Sequence, residues 1–144
     1  MVHGRSRADA WAATLSAAGL PEGPCVEADF SAEAGAAATR QLLDLPEPPT
    51  AIVYANDLMA IAGLAVAVGR GIDVPGDLSI AGYENTELAA HLQPPLTTVS
   101  TDVIGWGRAA ARRLLELIDE RPATEVDLEP PRLVVRGSTG PAPG

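Results

Sequence analysis

Residues 50–99 constrain the architecture more than any other stretch of the chain. They open on a short apolar run, Ala51–Tyr54, rich in strand formers, with the polar pair Asn56-Asp57 at its end. The uncharged stretch Leu58–Gly69 follows, too long for most strands and stopped by Arg70-Gly71. Val74-Pro75-Gly76-Asp77 carries the residues of a turn. A second apolar run, Leu78–Gly82, ends in the polar cluster Tyr83-Glu84-Asn85-Thr86. Strand, helix, strand in that order predicts a βαβ unit with a parallel pair. Polar groups then stand just past the carboxyl end of each strand, the edge at which open α/β sheets bind ligands.

The flanks extend this pattern. Met1-Val2 reads as the tail of a strand and Ser6 to Ala18 as a helix stopped by Gly19-Leu20-Pro21. Cys25–Ala28 reads as a short strand in which Cys25 is a small buried residue. Ser31 is placed to N-cap a helix over Ala32–Leu43. Beyond the central unit, Thr97–Val99 and Arg132–Arg136 read as strands, with a helix from about Val103 to Asp119 between them. On that helix Val103, Gly107, Ala110, Leu114 and Ile118 form an apolar stripe, and Arg112 and Glu116 are spaced for an i,i+4 pair. Trp11 and Trp106 read as packing residues and His91 as a surface residue.

Charge narrows the function classes. The chain has 144 residues and a formal charge of −9, and its 10 basic residues are all arginine. Phosphate contacts need clustered Lys and Arg, so this balance argues against nucleic-acid binding by these residues. The single cysteine excludes an intrachain disulfide and fits a reducing compartment. No secretory signal is visible, and Leu58–Gly69 is too short to span a bilayer, which needs about 20 residues. The reading is cytoplasmic, with no membrane association. His3 and His91 give no metal-ligand spacing with cysteine, and there is no Gly-x-Ser-x-Gly elbow, Walker loop or zincin motif. Neither a cofactor nor a catalytic residue is predicted.

Four positions fall on the predicted ligand edge: Arg7 after the first strand, Phe30 after the second, Asn56 after the third and Glu84 after the fourth. Each suits a small polar ligand such as a sugar. Arg offers a rigid fork of donors, Phe an aromatic face for C–H groups, Asn both a donor and an acceptor, and Glu an acceptor for neighbouring hydroxyls. Blander readings stand beside these. Asp57 is better placed to N-cap the following helix than to touch a ligand, and Asn56 could simply adopt a left-handed loop conformation. Arg7 could be a surface helix residue, Phe30 core, and Glu84 a solvated loop charge.

In series, Pro49-Thr50-Ala51-Ile52, Ala55-Asn56-Asp57-Leu58-Met59-Ala60, Val74-Pro75-Gly76-Asp77-Leu78-Ser79-Ile80, Gly82-Tyr83, Pro94-Pro95-Leu96-Thr97-Thr98-Val99 and Leu133-Val134-Val135-Arg136-Gly137-Ser138-Thr139 are distinctive. The series resembles the effector-binding domain of the LacI/GalR family of bacterial transcription regulators, over about residues 7–139. The resemblance implies an α/β, type I periplasmic-binding-protein-like lobe with a parallel sheet, N-terminally truncated. It places residues 1–95 and 131–144 in the C-terminal lobe, and residues 96–130 as a strand and helix returning to the N-terminal lobe. The helix at 103–119 would then expose its apolar stripe. The implied activity is small-molecule sensing, with DNA bound only through a headpiece absent from this chain.

The resemblance also implies that Arg7, Phe30, Asn56 and Glu84 bind the effector, with Asp57 and Asn85 as a second shell. Ala10 stands where the family's Arg-x-x-Gly helix has glycine, and Glu84-Asn85 where an Asp-Asp pair is usual. The apolar helix 58–68 matches a homodimer interface, the alternative being a helix fully buried within one chain. Rival readings are a periplasmic-type carbohydrate-binding module without transcriptional role, a small α/β enzyme using Asp57 or Glu84, and a remnant with no function of its own.

Overall fold

The computed structural model describes residues 2–122, 124 and 128–143, and of residues 2–6 the backbone alone. The predicted strand–helix–strand unit forms. β1 (Ala51–Val53) and β2 (Ser79–Ala81) pair in parallel, Ala51 with Ser79, Ile52 with Ile80 and Val53 with Ala81. The ladder continues from Tyr54 N–H to the Ala81 carbonyl at 2.8 Å. α1 runs Val2–Ala17, α2 Ala32–Leu43 and α3 Asp57–Gly69. β3 (Thr98–Ser100) and β4 (Arg132–Val134) pair antiparallel around α4 (Val103–Ile118). Parallel bridges from Ala81 to Thr97 and from Glu84 to Ser100 join this second pair to the carboxyl end of β2.

The chain after β4 closes the seam. Ile80 N–H donates to the Ser138 carbonyl at 2.7 Å. The Ser138 hydroxyl donates to the Ile80 carbonyl at 2.6 Å and accepts from Thr97 N–H at 2.8 Å. One fully buried hydroxyl therefore occupies the point where β2, residue 97 and the returning chain meet.

The core lies between the β1–β2 pair and the α2–α3 pair: Leu42, Ile52, Tyr54, Met59, Leu64, Leu78 and Ile80 are buried together with Leu96. Close helix contact depends on Gly35, where a Cβ would lie 2.7 Å from Met59 Cα. The Tyr54 hydroxyl is held in the interior by Thr39 at 2.6 Å, and the Thr39 hydroxyl lies 2.7 Å from the Gly35 carbonyl. Burial pushes the Tyr54 phenol above its ordinary pKa, and the hydrogen bond to Thr39 opposes part of that shift.

Several expectations are corrected. Val2 begins a helix instead of ending a strand, and Met1 lies outside the described residues. Cys25–Ala28 is no strand: Pro21 and Pro24 limit pairing there, and the segment joins no described ladder, although Val26 and Ala28 lean on the core. Cys25 is exposed, not buried. The N-cap of α3 is Asn56, with φ −152° and ψ 168°, so it is extended and not left-handed. Asp57 is the first residue of the helix and does not cap it. Arg112 is not the partner of Glu116. Arg113 is, at 3.4 Å, and the Thr124 hydroxyl donates to the same carboxylate. Trp106 is 45% exposed and does not pack in a core.

α3 is not covered all round either. Met59, Ala60, Gly63, Leu64 and Ala67 face inward, while Leu58 and Val68 are more than half exposed, at 51% and 55%. On α4 the expected apolar stripe is exposed: Val103, Leu114 and Ile118 all face solvent.

Candidate functional site

Three of the four predicted positions are joined by contacts at the carboxyl end of β1 and β2. Arg7 does not follow a strand; it projects from α1. Its Nη1 donates to the Ala55 carbonyl at 2.7 Å, and its guanidinium stacks 3.9 Å above the Tyr83 ring centroid. A cation over a phenol face is attracted by the ring quadrupole, here at an exposed arginine. The next residue along from Ala55 is Asn56, whose amide is divided between two tasks. Its Oδ1 accepts from Met59 N–H at 2.8 Å, the helix cap, and its Nδ2 donates to the Phe30 carbonyl at 3.0 Å.

Phe30 has a left-handed backbone, φ 70°. The turn that permits this is built by its neighbours: Ser31 N–H donates to Asp29 Oδ1 at 3.0 Å, and the Ser31 hydroxyl caps α2 at Ala34 N–H, 3.1 Å. The Ser31 hydroxyl first, and its N–H second, hold the Asp29 carboxyl below its ordinary pKa. The Phe30 ring is half-buried and leans on the core, so it offers at most one side to a ligand.

Glu84 is exposed and its side chain reaches none of the other three through a described hydrogen bond. Its backbone, φ 120°, is attached to β3 by the N–H donated to the Val99 carbonyl at 2.9 Å. Asn85 is also left-handed, φ 55°. Two successive non-glycine residues at positive φ carry strain of about 1–3 kcal/mol each, a feature that clusters at ligand clamps. Asn85 turns back into the protein: its Oδ1 accepts from Arg136 Nη2 at 2.6 Å. Asp57 is fully buried, and its carboxylate accepts from the Thr86 N–H and hydroxyl and from the Thr98 hydroxyl.

The arrangement is thus an open ledge. The predicted residues line neither of two surface hollows elsewhere, one of about 460 Å³ touching Ser100, Asp102, Glu129 and Arg132, the other of about 470 Å³ between α2 and α3. Asn56 is buried and both ends of its amide are taken, so the groups this ledge turns outward are the Arg7 guanidinium, the half-buried Tyr83 and Phe30 rings and the Glu84 carboxylate, which can bind hydroxyls and C–H faces of a small molecule. No group of three or more His, Cys, Asp or Glu suited to a metal ion occurs among the described residues, and no described helix is long and apolar enough to cross a membrane. Sequence reasoning missed Tyr83 and Arg136. Tyr83 could have been found as the aromatic residue standing in the polar cluster beside Glu84; nothing local marks Arg136.

Comparison with known proteins follows the same lines. A family model described as a periplasmic binding protein-like domain matches residues 2–139. Over 119 residues the chain is 42% identical to the transcriptional repressor CytR of Escherichia coli, covering 80% of this chain and 34% of the repressor. To the transcriptional regulator MalR of Streptomyces coelicolor it is 43% identical over 116 residues, covering 80% and 33%. A crystal structure of a LacI family regulator from Bifidobacterium animalis superposes with a TM-score of 0.89 at 38% identity, over 97% of this chain and 51% of that one. The regulator CelR in complex with cellobiose superposes with a TM-score of 0.88 at 35% identity, over 96% and 43%. The chain therefore spans about a third of the length of these curated relatives. It belongs to the periplasmic binding protein-like domain family, in the form found in LacI-type transcription regulators.

Proposed function

We propose that this chain is part of the effector-sensing region of a cytoplasmic LacI/GalR-type regulator, and that its effector is a sugar or a related polar metabolite. The observation that carries this is the run of contacts from Phe30 through Asn56 and Ala55 to Arg7 and Tyr83, which gathers donors and aromatic faces at one sheet edge. Arg7, Phe30, Asn56 and Glu84 meet the effector, while Asp57 and Asn85 support them from behind. The relative in complex with cellobiose favours a saccharide.

Residues 1–95 and 131–144 form the C-terminal lobe in this reading. Residues 96–130 lead to the N-terminal lobe, whose apolar surface covers the exposed stripe of α4. The outward stripe of α3, with Leu58 and Val68, meets the same face of a second copy. Effector binding changes the closure of the lobes, and so the population of the DNA-competent state, through a headpiece outside these residues. With a formal charge of −9 the present residues do not hold operator DNA themselves.

Calorimetric titration with a panel of mono- and disaccharides tests the site. Arg7→Ala and Glu84→Ala should each weaken whichever sugar binds at least tenfold; unchanged affinity in both overturns the assignment. Sedimentation tests the interface. Leu58→Asp with Val68→Asp should turn a dimer into a monomer, and an unaltered dimer would place the interface elsewhere.

A further inference from the structure

Asp57 carries a cost that capping does not explain. Its carboxylate is fully buried, pairs with no described cation, and sits where Asn56 already caps the helix. A buried carboxylate is expensive unless its lone pairs are met, and an apolar residue in its place is often as stable. Its environment meets every demand. Oδ2 accepts from Thr86 N–H at 2.7 Å and from the Thr86 hydroxyl at 3.0 Å, Oδ1 accepts from the Thr98 hydroxyl at 2.5 Å, and the N-terminus of α3 favours the negative charge.

Those bonds all reach the loop after β2 or its neighbour β3. Asp57 N–H donates to the Tyr83 carbonyl at 2.9 Å, and Asn85 N–H donates to Thr98 Oγ1 at 3.3 Å, closing a ring through Asp57, Thr86, Asn85 and Thr98. Gly82 leaves room for it, since a Cβ there would strike Asp57 Oδ1. From the far side Arg136 grips the same loop at Asn85. What is held is the strained pair Glu84 and Asn85, with Tyr83 beneath the Arg7 guanidinium.

We propose that Asp57 is the positioning residue of this ledge: its carboxylate keeps Tyr83 under Arg7 and Glu84 at the rim, and fastens that geometry to β3. One oxygen serves the loop and the other serves β3, so the two shift together. The proposal rests on the effector-site reading for its purpose, and its test needs no effector. In the 144-residue chain the Tyr83 ring current displaces the Arg7 δ-proton resonances upfield, and Tyr83→Leu supplies the undisplaced reference. Asp57→Asn presents an amide donor to donors, so it should abolish more than half of that displacement while far-UV circular dichroism stays helical. Leu42→Ala, in the core away from the loop, lowers Tm and should leave the displacement intact, which separates positioning from general loss of stability.

Displacement unchanged in folded Asp57→Asn, or lost equally in Leu42→Ala, overturns the proposal. Should Asp57→Asn fail to fold, Thr98→Val decides in its place, since it removes one donor from the carboxylate: loss of displacement supports the proposal and retention overturns it. Saccharide titration of Arg7→Ala and Glu84→Ala reports separately on the effector site, so an affinity unaffected in both sinks the site while the Asp57 result stands.

Discussion

Asn56→Ala separates what the ledge residue does for the fold from what it does for a ligand. The alanine removes two hydrogen bonds at once, the cap on Met59 N–H at 2.8 Å and the donor to the Phe30 carbonyl at 3.0 Å. Loss of an Asn cap costs about 1 kcal/mol, and loss of an ordinary intramolecular hydrogen bond about another 1 kcal/mol. The sum, about 2 kcal/mol, lowers Tm by about 4–8 °C for a domain of this size. Urea unfolding followed by circular dichroism measures it directly. Asn56→Asp divides the total. A carboxylate keeps the cap and suits a helix N-terminus, so the cap half of the cost disappears. The carboxylate cannot donate to Phe30, and its oxygen faces the carbonyl oxygen instead. Asn56→Asp should therefore unfold between wild type and Asn56→Ala at neutral pH. A loss below about 0.5 kcal/mol in Asn56→Ala would refute the reasoning, because neither bond could then carry its usual share.

Two further expectations concern the core. Gly35→Ala forces a methyl against the Met59 backbone and should cost about 1–3 kcal/mol, the range for overpacking, read as a lower urea midpoint with an unchanged slope. Tyr54 predicts an alkaline limb. Burial raises its folded pKa above the unfolded value of about 10, so the neutral phenol's contribution is complete below that pH and is lost as pH rises towards the folded value. Tyr54→Phe should remove that limb, and thermal unfolding between pH 8 and 11 would show it.

The central unit was legible because its punctuation is local. Ser31 caps α2 where an isolated serine before an alanine-rich run should, and α2 spans Ala32–Leu43 as predicted. The parallel pairing of β1 and β2 follows from apolar runs bounded by turn residues. The misplaced cap shows where local reading stops. Asn and Asp cap equally well, and adjacent residues of both types differ only by register. The choice fell to Asn56 because Asp57 is drawn inward by Thr98, 41 positions away. Arg7 and Glu84 could be singled out by chemistry, yet the residue that stacks on Arg7 is Tyr83, and the residue that braces Asn85 is Arg136, 51 positions away. Cys25–Ala28 had a strand's composition, but a strand exists only against a partner, and none is supplied there among the described residues.

The Ser138 hydroxyl also sets a timetable for synthesis. Its bond to Ile80 joins residues 58 apart in the chain. A ribosome adds roughly 5–20 residues per second, so β2 emerges some 3–12 s before the hydroxyl that completes its edge. Thr97 covers Ala81 and Gly82 earlier, but the Ile80 N–H and C=O on the side away from β1 stay open throughout that interval, and open groups of this kind are where strand edges recruit neighbouring chains. Slower translation between codons 80 and 138 should therefore lower the yield of correctly assembled molecules without altering the finished product.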